Sequence, residues 1–201
     1  RPMQTHEDTV KLMQAIQHRR SIRLVDIAPE PIDLTLVQLI LDAAPWVPNH
    51  GRTEPWRFSV YTGEARRALG EAFAEAYRLD TPPAEFKPEA QAAQRDRVWN
   101  APVWISVGMT PPTPLRFPVW EEIMSVGMAV QNMHLVAASL GLAMRWSSGN
   151  TSLHAHTAEF VGLAPPSELY GFLYLGNPKP GLEWPAGKRS PMSEKVTWHN
   201  A

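Results

Sequence analysis

Cysteine is absent from this chain of 201 residues, which excludes disulfides, thiolate metal sites and a cysteine nucleophile. No stretch reaches the roughly 18 uninterrupted apolar residues of a membrane-spanning helix. Residues 1–8 lack the apolar core of a signal peptide, so a soluble, cytoplasmic protein is expected. An excess of one charge is missing too. Nineteen basic against 20 acidic residues leave a net charge of -1, which gives neither nucleic acid nor an anionic membrane a reason to bind. Neither GxxxxGK nor GxGxxG occurs, against a nucleotide-binding P-loop or Rossmann unit, and the absence of GxSxG argues against an acyl-transfer hydrolase. His154 and His156 stand two apart on a predicted helix and point to different sides, so no metal site is expected.

Proline and tryptophan are plentiful, at 20 and 8 residues. The prolines gather in 81–88, 111–118 and 178–191, where they interrupt regular structure and mark connections. Between them the hydrophobic spacing predicts a helix from Asp8, its N-cap, to Arg19, and a second from Leu34 to about Pro45. A strand over Trp56–Tyr61 follows, then a helix from about Glu64 to Arg78. The polar helical segment 84–100 reads as a surface lid or insertion, before a central strand at 102–109. Val119–Leu140 is the longest helix. It is apolar on almost every side, which implies burial at the centre of the domain or in a subunit interface. Gly141 caps it, and a short strand over Leu142–Trp146 follows. Thr151 or Ser152 then caps a helix to about Phe160, and Leu169–Gly176 is the last strand. This order is not a series of parallel βαβ units. It indicates a single α+β domain over 1–201, with a small sheet between helical layers and a Pro-rich C-terminal arm over 177–201.

Three places carry candidate chemistry. His18-Arg19-Arg20-Ser21-Ile22-Arg23 packs three guanidinium groups and a hydroxyl into six residues, a composition that suits phosphate. It equally suits a basic helix end that complements the dipole. Pro48-Asn49-His50 sets polar groups beside Trp46 and Trp56, which would fit a planar heteroaromatic ligand or simply a solvent-facing loop. Lys188 and Arg189 either close a phosphate site or serve as solubility charges. Glu121 and Glu122 open the long helix, where capping alone accounts for carboxylates.

Taken in order, Arg19-Arg20-Ser21 with Arg23, Pro48-Asn49-His50, Pro55-Trp56-Arg57-Phe58, Trp120-Glu121-Glu122, Gln131-Asn132, Gly141, Trp146-Ser147-Ser148-Gly149 and Gly171 to Pro178 resemble the nitroreductase family, and most of all its compact bacterial branch. The resemblance spans roughly residues 8–190. It implies a small, mostly antiparallel sheet between helical layers, and an intertwined homodimer with FMN at the interface. Arg19 and Ser21 would then bind the FMN phosphate and ribityl end, with Arg20 and Arg23 alongside, and Lys188 or Arg189 would complete the phosphate site. Ser147, Ser148 and Gly149 would lie against the isoalloxazine, and Pro48, Asn49 and His50 would come from the partner subunit. The implied activity is hydride transfer from NADH or NADPH through flavin to a small acceptor such as a nitroaromatic or quinone. No catalytic side chain is implied, because the cofactor carries the redox step. Residues 84–118 are the expected substrate lid. A basic residue often stands in close relatives where this chain has Ser147. Two other readings stay open: a flavin-binding or flavin-storage protein without turnover, and a Trp-rich scaffold dimer without flavin.

Overall fold

In the computed structural model, which describes residues 6–199, the architecture is built around β3, Val103–Met109, whose seven residues are all buried. That is what a near-continuous apolar run does when a strand is covered on both faces. On one side β3 pairs with β5 (Glu168–Gly176), which pairs in turn with β4 (Ala143–Ser147). On the other side it pairs with β1 (Trp56–Arg57) and β2 (Val60–Thr62). Every pairing is antiparallel. Side-chain alternation splits the interior into two cores. Val103, Ile105, Val107, Met109, Leu173 and Leu175 face α2 (Leu34–Ala43) and α5 (Val119–Ser139). Trp104, Phe172 and Tyr174 face Leu69 and Phe73 of α3 (Ala65–Asp80). The expected α+β fold, a small antiparallel sheet between helical layers, is therefore present.

Sequence periodicity misplaced several details. The strand expected over Trp56–Tyr61 is interrupted at Phe58-Ser59 because the Ser106 side chain intervenes. Ser59 N–H donates to Ser106 Oγ at 2.9 Å, and Ser106 N–H donates back to Ser59 O at 2.9 Å. The first helix, α1, runs His6–His18, so Asp8 lies in its first turn and is not its N-cap. The helix expected to start at Thr151 or Ser152 is instead two pieces, α6 (Asn150–Leu153) and α7 (Ala155–Phe160). Gly149 is the N-cap of α6, and His154, with extended backbone, separates the two and accepts from His156 N–H. The range 84–118 is not one insertion. It contains α4 (Pro88–Asp96), packed on α3, and all of β3, which leaves 110–118 as its loop.

The long helix α5 is wrapped on one side only. Val126, Ala129, Val130, Met133 and Ala137 are buried at helical spacing, whereas Trp120 and Met124 are 59% and 57% exposed. The neighbouring α1 has no buried residue, and its Leu12 and Met13 face solvent. The C-terminal arm turns back along residues 18–28: Ala28 N–H donates to Asn177 O at 2.8 Å and Lys179 N–H to Asp26 O at 2.9 Å. Trp184 stacks on His18 at 5.3 Å and donates to His18 O at 2.8 Å. Residues 1–5, 200 and 201, covered by the expectations for the N-terminus and the end of the arm, lie outside the described residues.

Candidate functional site

The return of the arm is what assembles the basic site. Arg20, at the end of α1, donates from Nε to Pro185 O at 2.8 Å and from Nη1 to Arg19 O at 2.8 Å and to Gln17 O. Its guanidinium lies against the Cα of Gly187, where a Cβ would collide with it. Arg20 is thus a strut, and it brings Arg189 beside Arg19. The result is a cleft of about 520 Å³ lined by Ile16, Arg19, Arg20, Gln131, Gly187 and Arg189. Arg19 and Arg189 form no ion pair with a carboxylate among the described residues. Burial, then Arg189, then Arg20 lower the pKa of Arg19. Clustered guanidinium groups without a counter-ion in a concave site fit a multivalent anion.

The remaining sequence candidates divide. Arg23 is exposed, its Nε and Nη2 are engaged by Asp26 at 2.8 and 3.3 Å, the carboxylate raises its pKa, and it does not line the cleft. Ser21 is exposed and does not line the cleft. Lys188 does not line it either; its carbonyl accepts from Arg189 Nη1 at 2.7 Å. Gln131 was legible only as part of a motif, and His134 gave no sequence signal beyond standing three positions after Gln131 on one helix face. His134 is 6% exposed, with Nδ1 buried and unbonded, and burial followed by the Arg19 charge pushes its pKa down to about 4.

Farther along, Ser147 ends β4 opposite Phe172, and its carbonyl approaches the Cα of Gly171, whose φ of +102° suits glycine. Ser148 opens into an apolar recess of about 460 Å³ with Ile123, Val126, Trp146, Leu153 and Tyr170. Trp146 Nε1 donates to Tyr170 O at 2.7 Å, which fixes the indole as one wall. Gly149 carries the loop into α6, its carbonyl accepting from Ser152 and Leu153 N–H at 2.8 and 3.2 Å.

The Pro48–His50 loop is elsewhere in the chain. Asn49 Nδ2 donates to Thr53 Oγ1 at 3.0 Å and Ser125 Oγ at 3.2 Å, and its Oδ1 accepts from Glu54 N–H at 2.8 Å. Pro48 O accepts from Ser125 Oγ at 3.3 Å. His50 stacks on Phe117 at 3.6 Å and contacts Glu121 at 2.6 Å, while buried Glu122 accepts from Thr53 at 2.6 Å. Glu121 and Glu122 thus hold this loop. It contacts α5 from Glu121 to Ser125, whereas the basic cleft meets the helix at Gln131, six residues or about 9 Å past Ser125, and none of the three loop residues lines it. One chain therefore does not bring Pro48–His50 together with Arg19.

An antiparallel sheet between helical layers, with a basic cleft and an apolar recess beside one long helix, defines a class of α+β proteins with room for an elongated anionic ligand. The nitroreductase family model matches residues 16–177, and the chain belongs to that family. YdjA of Escherichia coli K12, named provisionally as an NAD(P)H nitroreductase, is 31% identical over 172 residues, covering 86% of this chain and 89% of YdjA. Among solved structures, a nitroreductase-like family protein of Bacillus cereus superposes with a TM-score of 0.78 at 27% identity, over 94% of this chain and 96% of that one. The FMN- and NADPH-dependent nitroreductase NfnB of Sphigopyxis sp. strain HMH has the same fold, with a TM-score of 0.72 at 21% identity, over 94% and 99%. Among the described residues no group of acidic or histidine side chains could hold a metal, and no helix is long and apolar enough to cross a membrane.

Proposed function

We propose that this chain is an FMN-dependent oxidoreductase that passes a hydride from NADH or NADPH to a small acceptor such as a nitroaromatic or a quinone, and that it works as a homodimer in the cytoplasm. The observation that carries the reading is the unneutralised Arg19–Arg189 cleft beside the apolar recess at Ser148, both bordering α5. This pair fits a ligand with a phosphate at one end and a flat heteroaromatic system at the other. Membership of the nitroreductase family, and relatives named for NAD(P)H and FMN, support the same reading.

When bound, FMN would supply two-electron redox chemistry by accepting and delivering hydride. The chain supplies binding and orientation. Arg19 and Arg189 would hold the phosphate, with Gln131 near its ribityl side. Ser147-Ser148-Gly149, Trp146 and Tyr170 would flank the ring system and exclude water from one side. Arg20 would act by holding the arm that carries Arg189, while Lys188 and Arg23 would add positive field without contact. The loop 110–118 would cover the acceptor.

The homodimer reading is supported by the large apolar side chains that α5 and α1 leave exposed, Trp120, Met124, Leu12 and Met13, which a second copy would cover. A second copy would bring its Pro48–His50 loop to the Arg19 cleft, whose lining includes none of this chain's own loop residues. The test is direct: the purified protein should carry or take up FMN, bleach under NADH or NADPH without oxygen, and regain colour with a nitroaromatic or quinone. A chain that gains no flavin spectrum refutes the reading, and flavin that stays oxidised under both donors leaves a flavin-storage protein. Met124→Glu should reduce the sedimenting mass toward that of a monomer.

A further inference from the structure

Arg97 opens the 3-10 turn Arg97–Asn100 after α4, and its side chain runs inward. The guanidinium carbon lies 4.0 Å from the centroid of Phe73 and 5.7 Å from that of Trp104. Its Nη2 donates to Ser152 Oγ at 3.0 Å and to Thr151 Oγ1 at 3.2 Å. No carboxylate pairs with it among the described residues, and its Nε is buried without an acceptor. Burial lowers its pKa to about 10. A desolvated charge without a counter-ion does not repay its desolvation through such contacts alone, and apolar side chains often replace buried charge with no loss of stability. Stability is therefore a poor account of Arg97.

Its two acceptors suggest a better one. Thr151 and Ser152 are 8% and 0% exposed and form the first turn of α6. Ser152 is gripped twice: its hydroxyl by Arg97, and its N–H by Gly149 O at 2.8 Å. Thr151 Oγ1 donates onward to Gln94 Oε1 at 2.9 Å, and Thr157 Oγ1 donates to Thr151 O at 2.7 Å. A continuous hydrogen-bonded path thus joins Gln94 on α4, Thr151, Arg97, Ser152 and Gly149.

We propose that Arg97 is a positioning residue for the loop Ser147-Ser148-Gly149: its grip on Thr151 and Ser152 sets where that loop lies against the flavin and ties α4 to the site. The statement about flavin rests on the function proposed above. The statement about the loop does not.

Arg97→Met keeps a stem over Phe73 and removes every donor, Arg97→Lys restores charge and a donor, and Ser152→Ala removes one acceptor with Arg97 in place. Arg66→Met is the control. Arg66 is also partly buried and lies over an aromatic ring, 4.8 Å from the Trp99 centroid, but it donates to Gly63 O and Ala101 O and not to α6. In flavin-free protein, amide exchange across 148–153 is expected to accelerate about tenfold in Arg97→Met, less in Ser152→Ala, and not in Arg66→Met. In holoprotein, Arg97→Met should shift the visible flavin bands and weaken FMN about tenfold, and Arg97→Lys should recover most of that loss. Arg66→Met should lower the thermal midpoint while leaving the flavin bands unchanged. Unchanged exchange across 148–153 in both Arg97→Met and Ser152→Ala overturns the proposal, as does an Arg66→Met variant that matches them in both readouts. A wild-type chain that binds no FMN overturns the functional reading instead, and does so before any variant is made.

Discussion

Replacing Gly171 by alanine should remove about 3 kcal/mol of folding stability and displace the Ser147–Gly149 loop, for two separable reasons. The first is backbone conformation. Gly171 sits in β5 with φ at +102°, and an L-residue on that side of the map is disfavoured by about 1–2 kcal/mol. The second is a collision. A Cβ there would fall well inside contact distance of the Ser147 carbonyl oxygen, 3.1 Å from its carbon and 3.2 Å from Ser148 Cα. All three atoms belong to backbone, so no rotamer change relieves the clash and β4 must move away from β5, at a further cost of about 1–3 kcal/mol. Gly141→Ala isolates the first term, since Gly141 has φ at +75° and nothing within 4 Å of the added carbon. Denaturant unfolding with a common slope compares them. Gly171→Ala should lose about 2 kcal/mol more than Gly141→Ala and should bind FMN more weakly, while Gly141→Ala keeps its FMN affinity. Equal stability losses, or equal FMN affinities, would refute the claim that the approach to Ser147 is what Gly171 serves.

Arg19→Ala should weaken FMN by about 1.5–3 kcal/mol, the scale of a charge-assisted hydrogen bond, with Arg189→Ala in the same direction and Arg23→Ala near neutral; equilibrium flavin titration decides, and unchanged affinity would remove Arg19 from the site. His134 has a folded pKa of about 4 against about 6.5 when unfolded, so between those values the unfolded chain binds the extra proton. Stability should therefore fall as pH drops from 6.5 to 4, by up to about 3 kcal/mol, and His134→Leu should flatten that acid limb in thermal melts. Arg20→Met removes the bond to Pro185 O, and limited proteolysis should then cut the arm beyond residue 184 faster while FMN affinity drops along with Arg189; an arm cut no faster would deny Arg20 its role as a strut.

The α+β class and the two helical layers were legible because β3 and β5 are nearly unbroken apolar runs, and because a helix as apolar as α5 has to be covered. The limits were those of one-dimensional patterns. Trp56–Tyr61 alternates as a single strand should, and only the Ser106 hydroxyl, 47 positions away, converts it into two. Thr151 and Ser152 look like helix caps, but Arg97 recruits their hydroxyls from 54 and 55 residues away. Asp8 has the chemistry of an N-cap, yet the helix already runs from His6.

Composition and the order of its motifs were enough to determine the family, the absence of thiol chemistry and the presence of a cluster of arginines, since these depend on residue type and local spacing. Which arginine does what was decided by tertiary structure. Arg19, Arg20 and Arg23 are equivalent as letters within five residues. In the fold Arg23 is taken by Asp26, Arg20 is spent on Pro185 and Gly187, and Arg19 is left facing Arg189. The physical reason is that a guanidinium's role is set by the groups within reach: Asp26, three residues on, takes Arg23, whereas the Pro185 carbonyl that holds Arg20 was delivered by a C-terminal arm 165 residues away, which also carries the Arg189 that faces Arg19.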